Sequence, residues 1–153
     1  MRRIILSILI LLLLPVFLFG QGFLHTEGKK IVDGNGENVI LRGIGAGNWM
    51  LMEGYMMESS GVADTHQQFR DLLTATLGEV KTDSFYNVWL RSHLSRNDID
   101  SMAAWGFNSI RAPLHYKWFT PPIEEEPVPG EITWIDTGFE LLDSLLDWCE
   151  DNE

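Results

Sequence analysis

The chain has 153 residues, of which 22 are acidic and 11 are Lys or Arg, giving a formal net charge of −11 at pH 7. An acid excess of this size argues against nucleic acid as a partner, because neutralising phosphates needs clustered cations. It suits a soluble protein acting on a neutral substrate. A single cysteine, Cys149, excludes an intrachain disulfide and a thiolate metal cluster. His25, His66, His93 and His115 show no metal-ligand spacing, so no metal and no cofactor is expected.

Arg2 and Arg3 precede an unbroken apolar run from Ile4 to Phe19, with the small residues Gly20 and Gly22 behind it. This is the layout of a signal peptide over residues 1–20. The alternative is a retained membrane anchor, but the run falls short of the ~20 residues that cross a bilayer, and no basic stop-transfer cluster follows. A secreted or periplasmic protein is expected, with no stable membrane association after cleavage. Residues 21–153 are enough for one small domain.

Phe23-Leu24-His25 and Lys30-Ile31-Val32 flank a turn at Glu27-Gly28, and Asp33-Gly34-Asn35-Gly36 leads on to an apolar strand at Val39-Ile40-Leu41. Short β-branched runs between Gly-rich turns predict consecutive antiparallel strands. The first strand of the main fold is expected to end near Gly45. Residues 50–94 form a long connection with helical content. Phe69, Leu72, Leu73 and Leu77 share one helical face that Gly78 ends. Asp83 is placed to cap a second helix burying Phe85, Val88 and Trp89. Ser95, with Asp98 three residues on, signals a third helix whose stripe is Ile99, Met102 and Ala103. Gly106 ends it, and a second strand runs from Phe107 to Arg111, stopped by Pro113.

Residues 121–130, with four prolines and three glutamates, predict an exposed loop. Glu124, Glu125 and Glu126 within it are read as a solvated face rather than an acid/base pair. Ile135, Phe139, Leu142, Leu146 and Cys149 recur at helical spacing, with Glu140, Asp143, Asp147 and Glu150 opposite, so a closing amphipathic helix is expected.

Strand, helices, strand, helix is the opening of an α/β fold with a parallel sheet. Both strands carry their polar and aromatic residues at the C-terminal end. After the first come Asn48, Trp49 and Glu53; after the second, Arg111, His115, Tyr116 and Trp118. That loading fits the N-terminal part of a (β/α)₈ barrel, preceded by a short β-hairpin and not closed within these residues, better than a doubly wound sheet. A dinucleotide site is excluded, since Gly43, Gly45 and Gly47 miss the G-x-G-x-x-G spacing and no helix starts at once.

The strand-end motifs resemble glycoside hydrolase family 5, the cellulase family, and within it the exo-β-1,3-glucanase branch. Arg42-Gly43, Gly47-Asn48-Trp49, Glu53 and Tyr55-Met56 follow one signature of that branch, with Asn48 where a second glycine is usual. Gly106-Phe107-Asn108-Ser109-Ile110-Arg111-Ala112-Pro113 matches another intact. The resemblance covers nearly all of residues 23–153. It implies a retaining glycosidase acting on β-glucan polysaccharide or oligosaccharide, monomeric when full-length.

The same resemblance implies that Arg111 supports a nucleophilic carboxylate, a task for which the guanidinium fork is suited. It implies that Glu53 binds sugar hydroxyls. Asn48, Trp49, His115, Tyr116 and Trp118 are the remaining candidate substrate-binding residues, the three Tyr and Trp rings as stacking platforms. Family members use an acid/base glutamate after strand four and a nucleophile after strand seven, ~5–5.5 Å apart. The motifs matched here reach only about two of the eight βα units of a ~250-residue barrel. Both glutamates are therefore absent from the 153 residues, which are expected to be inactive alone. The alternative is a short secreted protein that binds glycan without cleaving it, using Trp49, Glu53, Arg111 and Trp118.

Overall fold

The computed structural model describes residues 22–152. The expected signal segment lies outside the described residues. The described residues fall into two compact units, 22–40 and 41–152.

In the first unit, β1 (His25–Glu27) pairs antiparallel with β2 (Lys30–Val32), with His25 opposite Val32 and Glu27 opposite Lys30. The turn after β2 is built by Asp33, whose Oδ1 accepts from the amides of Glu37 and Asn35, each at 2.9 Å. Those two amide bonds, Glu37 foremost, hold the Asp33 carboxyl below its usual range. The expected strand at Val39–Leu41 does not form a ladder of its own. The Val39 amide donates to Ile31 O at 2.8 Å, and Asn38 makes a single bridge to Val32, so this stretch flanks the hairpin.

In the second unit, β3 (Gly43–Gly45) and β4 (Ser109–Arg111) pair in parallel, with Gly43, Ile44 and Gly45 opposite Ser109, Ile110 and Arg111. The pairing is extended by Asn108 N–H to Arg42 O and by Ala46 N–H to Arg111 O. Parallel neighbours require a long crossover, and here it holds three helices. Helices and strands thus combine in an α/β arrangement, and no closed barrel exists among the described residues.

The first helix, α1 (His66–Leu77), opens on a capping box in which Thr65 and Gln68 satisfy each other's amides. Its expected apolar face is not the buried one. Leu72 and Leu77 are exposed, Phe69 and Leu73 half-buried, and the buried residue is His66. Helix α2 (Glu79–Ser92) begins four residues before Asp83, because Gly78 at φ 82° ends α1 and starts α2 at once. It buries Thr82, Tyr86 and Leu90, with Phe85 and Trp89 half-buried and Val88 exposed.

Helix α3 (Arg96–Ala104) carries the expected Ser95–Asp98 capping box and buries Ile99. Hydrogen bonds from the Ser95 hydroxyl and then its amide lower the Asp98 pKa. Helix α4 (Asp136–Glu150) buries Gly138, Leu141 and Leu145, one position N-terminal of the expected face, and leaves Phe139 and Leu146 exposed. Two Leu pairs, 141–142 and 145–146, make either rotation apolar. Gly138 decides between them, since a Cβ there would lie 2.6 Å from the Phe119 ring and 2.7 Å from Trp118 O. The predicted 121–130 loop is irregular apart from a 3₁₀ turn at Ile123–Glu125.

The core of this unit is Ala46, Trp49, Met50, Leu90, Leu94, Ile99, Leu141 and Leu145, with Ile110 and Met102 packed against it. Among the described residues, no helix is long and apolar enough to cross a membrane.

Candidate active site at the strand ends

Side chains alternate along a strand. Ile110 faces the helices and the core. Ser109 and Arg111 therefore lie on the opposite face, with Gly43 and Gly45 beside them; a Cβ on Gly43 would approach Ser109 Oγ at 3.0 Å. Arg111 ends β4 on that face, and the residue is exposed. Among the described residues it makes no ion pair.

The loop after β3 is held by three ring N–H groups. The Trp89 indole donates to Asn48 O at 2.9 Å, the Trp118 indole to Met50 O at 2.7 Å, and His93 Nε2 lies 2.8 Å from Gly47 O. Trp89 and His93, stacked on each other at the end of α2, and Trp118, from the loop after β4, thus tie down Gly47, Asn48 and Met50. Asn48 sits at φ 61°, a left-handed conformation that Asn tolerates where the signature has glycine. Its Oδ1 accepts from the Glu53 amide at 2.9 Å, so Asn48 shapes the turn that presents Glu53. Asn48 itself is buried.

Trp49 was expected as a sugar platform, but the structure places it in the core. It is 1 % exposed and its indole N–H donates to Leu90 O at 2.8 Å. A ring enclosed on both faces presents none to a ligand. Glu53 is half-buried on the loop surface.

His115, Tyr116 and Trp118 come together in one aromatic cluster. Its hub is His66, which sequence reasoning passed over as a histidine without ligand spacing. His66 stacks on His115 at 4.4 Å and meets Trp118 edge-on at 5.9 Å, with Tyr86 at 5.4 Å. His115 in turn stacks on Tyr116 at 4.9 Å. The signal available was the Thr65-x-x-Gln68 box, which sets His66 in the first turn of a helix. Lys117 Nζ donates to Gln67 Oε1, and Arg70 lies 5.2 Å over the Tyr86 ring while pairing with Asp83. No group of described His, Cys, Asp and Glu residues is arranged to hold a metal ion.

Met52 N–H donates to His66 Nδ1 at 3.2 Å, so the ring must be neutral at that nitrogen. Burial first, and then the cationic forms of His115, Lys117 and Arg70, push the His66 pKa down to about 4. Burial and Lys117 lower that of His115 as well. The unfolded chain takes up protons at these imidazoles near pH 6.5 while the folded one resists. Their contribution to stability is therefore intact above about pH 6.5 and lost as pH falls toward 4. The melting temperature is expected to drop across that window, and His66→Phe should flatten the drop; an equal slope in the variant contradicts the assignment.

Burial raises the Tyr86 pKa to about 12, and its hydroxyl has no protein partner among the described residues.

No protein-family model matches the chain. It is 32% identical over 129 residues to the beta-xylosidase of Phanerodontia chrysosporium, covering 84% of this chain and 25% of that protein. It is 26% identical over 118 residues to the probable glucan 1,3-beta-glucosidase A of Neosartorya fischeri, covering 74% and 26%. Against the probable glucan endo-1,6-beta-glucosidase B of Aspergillus fumigatus it is 25% identical over 142 residues, covering 84% and 34%. All three are named as glycosidases, and the chain spans a quarter to a third of their length.

Proposed function

We propose that these residues are the opening part of the catalytic domain of a secreted glycoside hydrolase of the cellulase family, acting on β-glucan. The observation that carries it is the register of β3 and β4, which sets Gly45 beside Arg111 so that both strand ends, and the loops bearing Glu53 and His115–Trp118, open together. In a (β/α)₈ barrel this is the end where substrates bind. Similarity to glycosidases named for xylosides and for β-1,3- and β-1,6-glucans supports a β-linked glycan as the substrate class.

Hydrolysis proceeds with retention, through two glutamates that lie outside the 153 residues. Arg111 holds the nucleophile ionised and oriented, its fixed positive charge lowering the carboxylate pKa. Glu53 accepts hydrogen bonds from sugar hydroxyls, and Tyr116 and Trp118 line the cleft with His115. Asn48 and Trp49 act at one remove, by fixing the loop that carries Glu53.

The test is a substrate panel with the full-length protein. Laminarin, a β-1,6-glucan, carboxymethyl cellulose and xylan are compared for reducing-sugar release. Turnover of a β-glucan is the expected result, and none on any of the four overturns the assignment.

A further inference from the structure

A groove of about 830 Å³ opens beside the 3₁₀ turn at Ile123–Glu125, lined by residues between Tyr116 and Trp134. Its volume is within the ~300–1,000 Å³ range of small-ligand pockets. Two aromatic rings frame it, Tyr116 and Trp134, and they are 54% and 61% exposed.

Each ring is braced from behind. Tyr116 stacks on His115, and Trp134 meets Phe139 edge-on at 5.7 Å, while Phe139 rests in the same way on Phe119 at 5.1 Å. A braced ring with a free face loses little side-chain entropy when something flat settles on it. Glu126 closes the groove's loop by accepting from Thr133 N–H at 3.1 Å. Glu124 and Glu131 also line the groove and add hydrogen-bond acceptors beside the rings.

We infer that this groove is an outer subsite for a neutral, β-linked pyranose chain, which stacks sugar faces on Trp134 and Tyr116 and donates hydroxyl hydrogens to the groove carboxylates. The chemistry selects this ligand. Exposed aromatic faces favour the C–H face of a pyranose ring, carboxylates accept from hydroxyls, and three glutamates repel an anionic polysaccharide. Tyr116 belongs both to the groove and to the His66–His115 cluster, so a chain held here runs on from the cleft proposed above. The subsite rests on that glycosidase assignment for the identity of its glycan.

The test is affinity electrophoresis of the full-length protein in native gels with and without laminarin, beside kcat and KM on laminarin and on a short aryl β-glucoside. Trp134→Ala should weaken retardation by laminarin about tenfold, the scale of truncating one interfacial Trp. It should raise KM on laminarin while leaving the short glucoside unaffected, and Trp134→Phe should restore most of the binding. Wild-type retardation in Trp134→Ala, with normal turnover, overturns the subsite and spares the glycosidase assignment. Absence of turnover by the wild type on both substrates counts instead against that assignment.

Discussion

Replacing Arg111 with Ala in the full-length protein is expected to lower kcat on β-glucan by ~10²–10³-fold, the effect of removing one preorganised charge from a reacting centre. KM should change little. Arg111 ends β4 on the face away from the core, exposed and without an ionic partner among the described residues. In the role proposed for it, losing its charge would raise the pKa of the nucleophilic carboxylate and loosen that group's orientation. Arg111→Lys should rescue little, because an ammonium lacks the paired-donor fork. Glu53→Ala should act on KM instead, through lost hydroxyl contacts. Steady-state kinetics of the three variants checks this, and near-normal kcat in Arg111→Ala would show that β4 does not end at the reacting centre.

Trp49→Ala should cost about 3–5 kcal/mol of stability, as removal of a large aromatic from a packed core does. The ring is enclosed with Met50, Leu90 and Leu94 and anchors the β3 loop to α2 through Leu90 O. Trp49→Phe keeps much of the volume but leaves that carbonyl unpaired in the interior, at a cost of about 1–3 kcal/mol. Denaturant unfolding of the full-length variants measures both. An unchanged midpoint in Trp49→Ala with a raised KM would return Trp49 to the role of sugar platform.

The contrast between those two residues shows how far the sequence could be followed. Gly43–Gly45 and Phe107–Arg111 were legible as strand ends because small residues and a Pro stop punctuate them, and Ser95–Asp98 was legible as a cap because both partners are local. Rotation of a helix about its axis was not. In α4 the Leu pairs 141–142 and 145–146 are consistent with two faces, and the choice depends on Phe119 and Trp118 meeting Gly138, 19 and 20 residues away. In α1 the apolar positions suggested the buried face, while His66 is buried through contacts with His115, Tyr86 and Trp118, all distant in sequence.

Within the candidate site the same division holds. Arg111 and Glu53 were candidates from their motifs, and the structure sets Arg111 at the end of β4 and Glu53 half-buried on the loop after β3. Trp49, Tyr116 and Trp118 were candidate platforms by type and position alone, yet Trp49 turns inward to meet Leu90 O, while Trp118 keeps a half-buried place with its N–H on Met50 O. Hydrogen bonding of an indole to a carbonyl 41 or 68 residues away leaves no local trace. Asn48 was a candidate ligand by type, but it is buried and its Oδ1 is taken by the Glu53 amide, so it shapes the loop.

The central claim is a retaining glycosidase site assembled at the ends of β3 and β4. The most direct measurement is proton NMR of the first sugar released from laminarin by the full-length protein, recorded before mutarotation. Retention requires the β-anomer first, with the α-anomer growing in only by mutarotation; initial release of the α-anomer would contradict it.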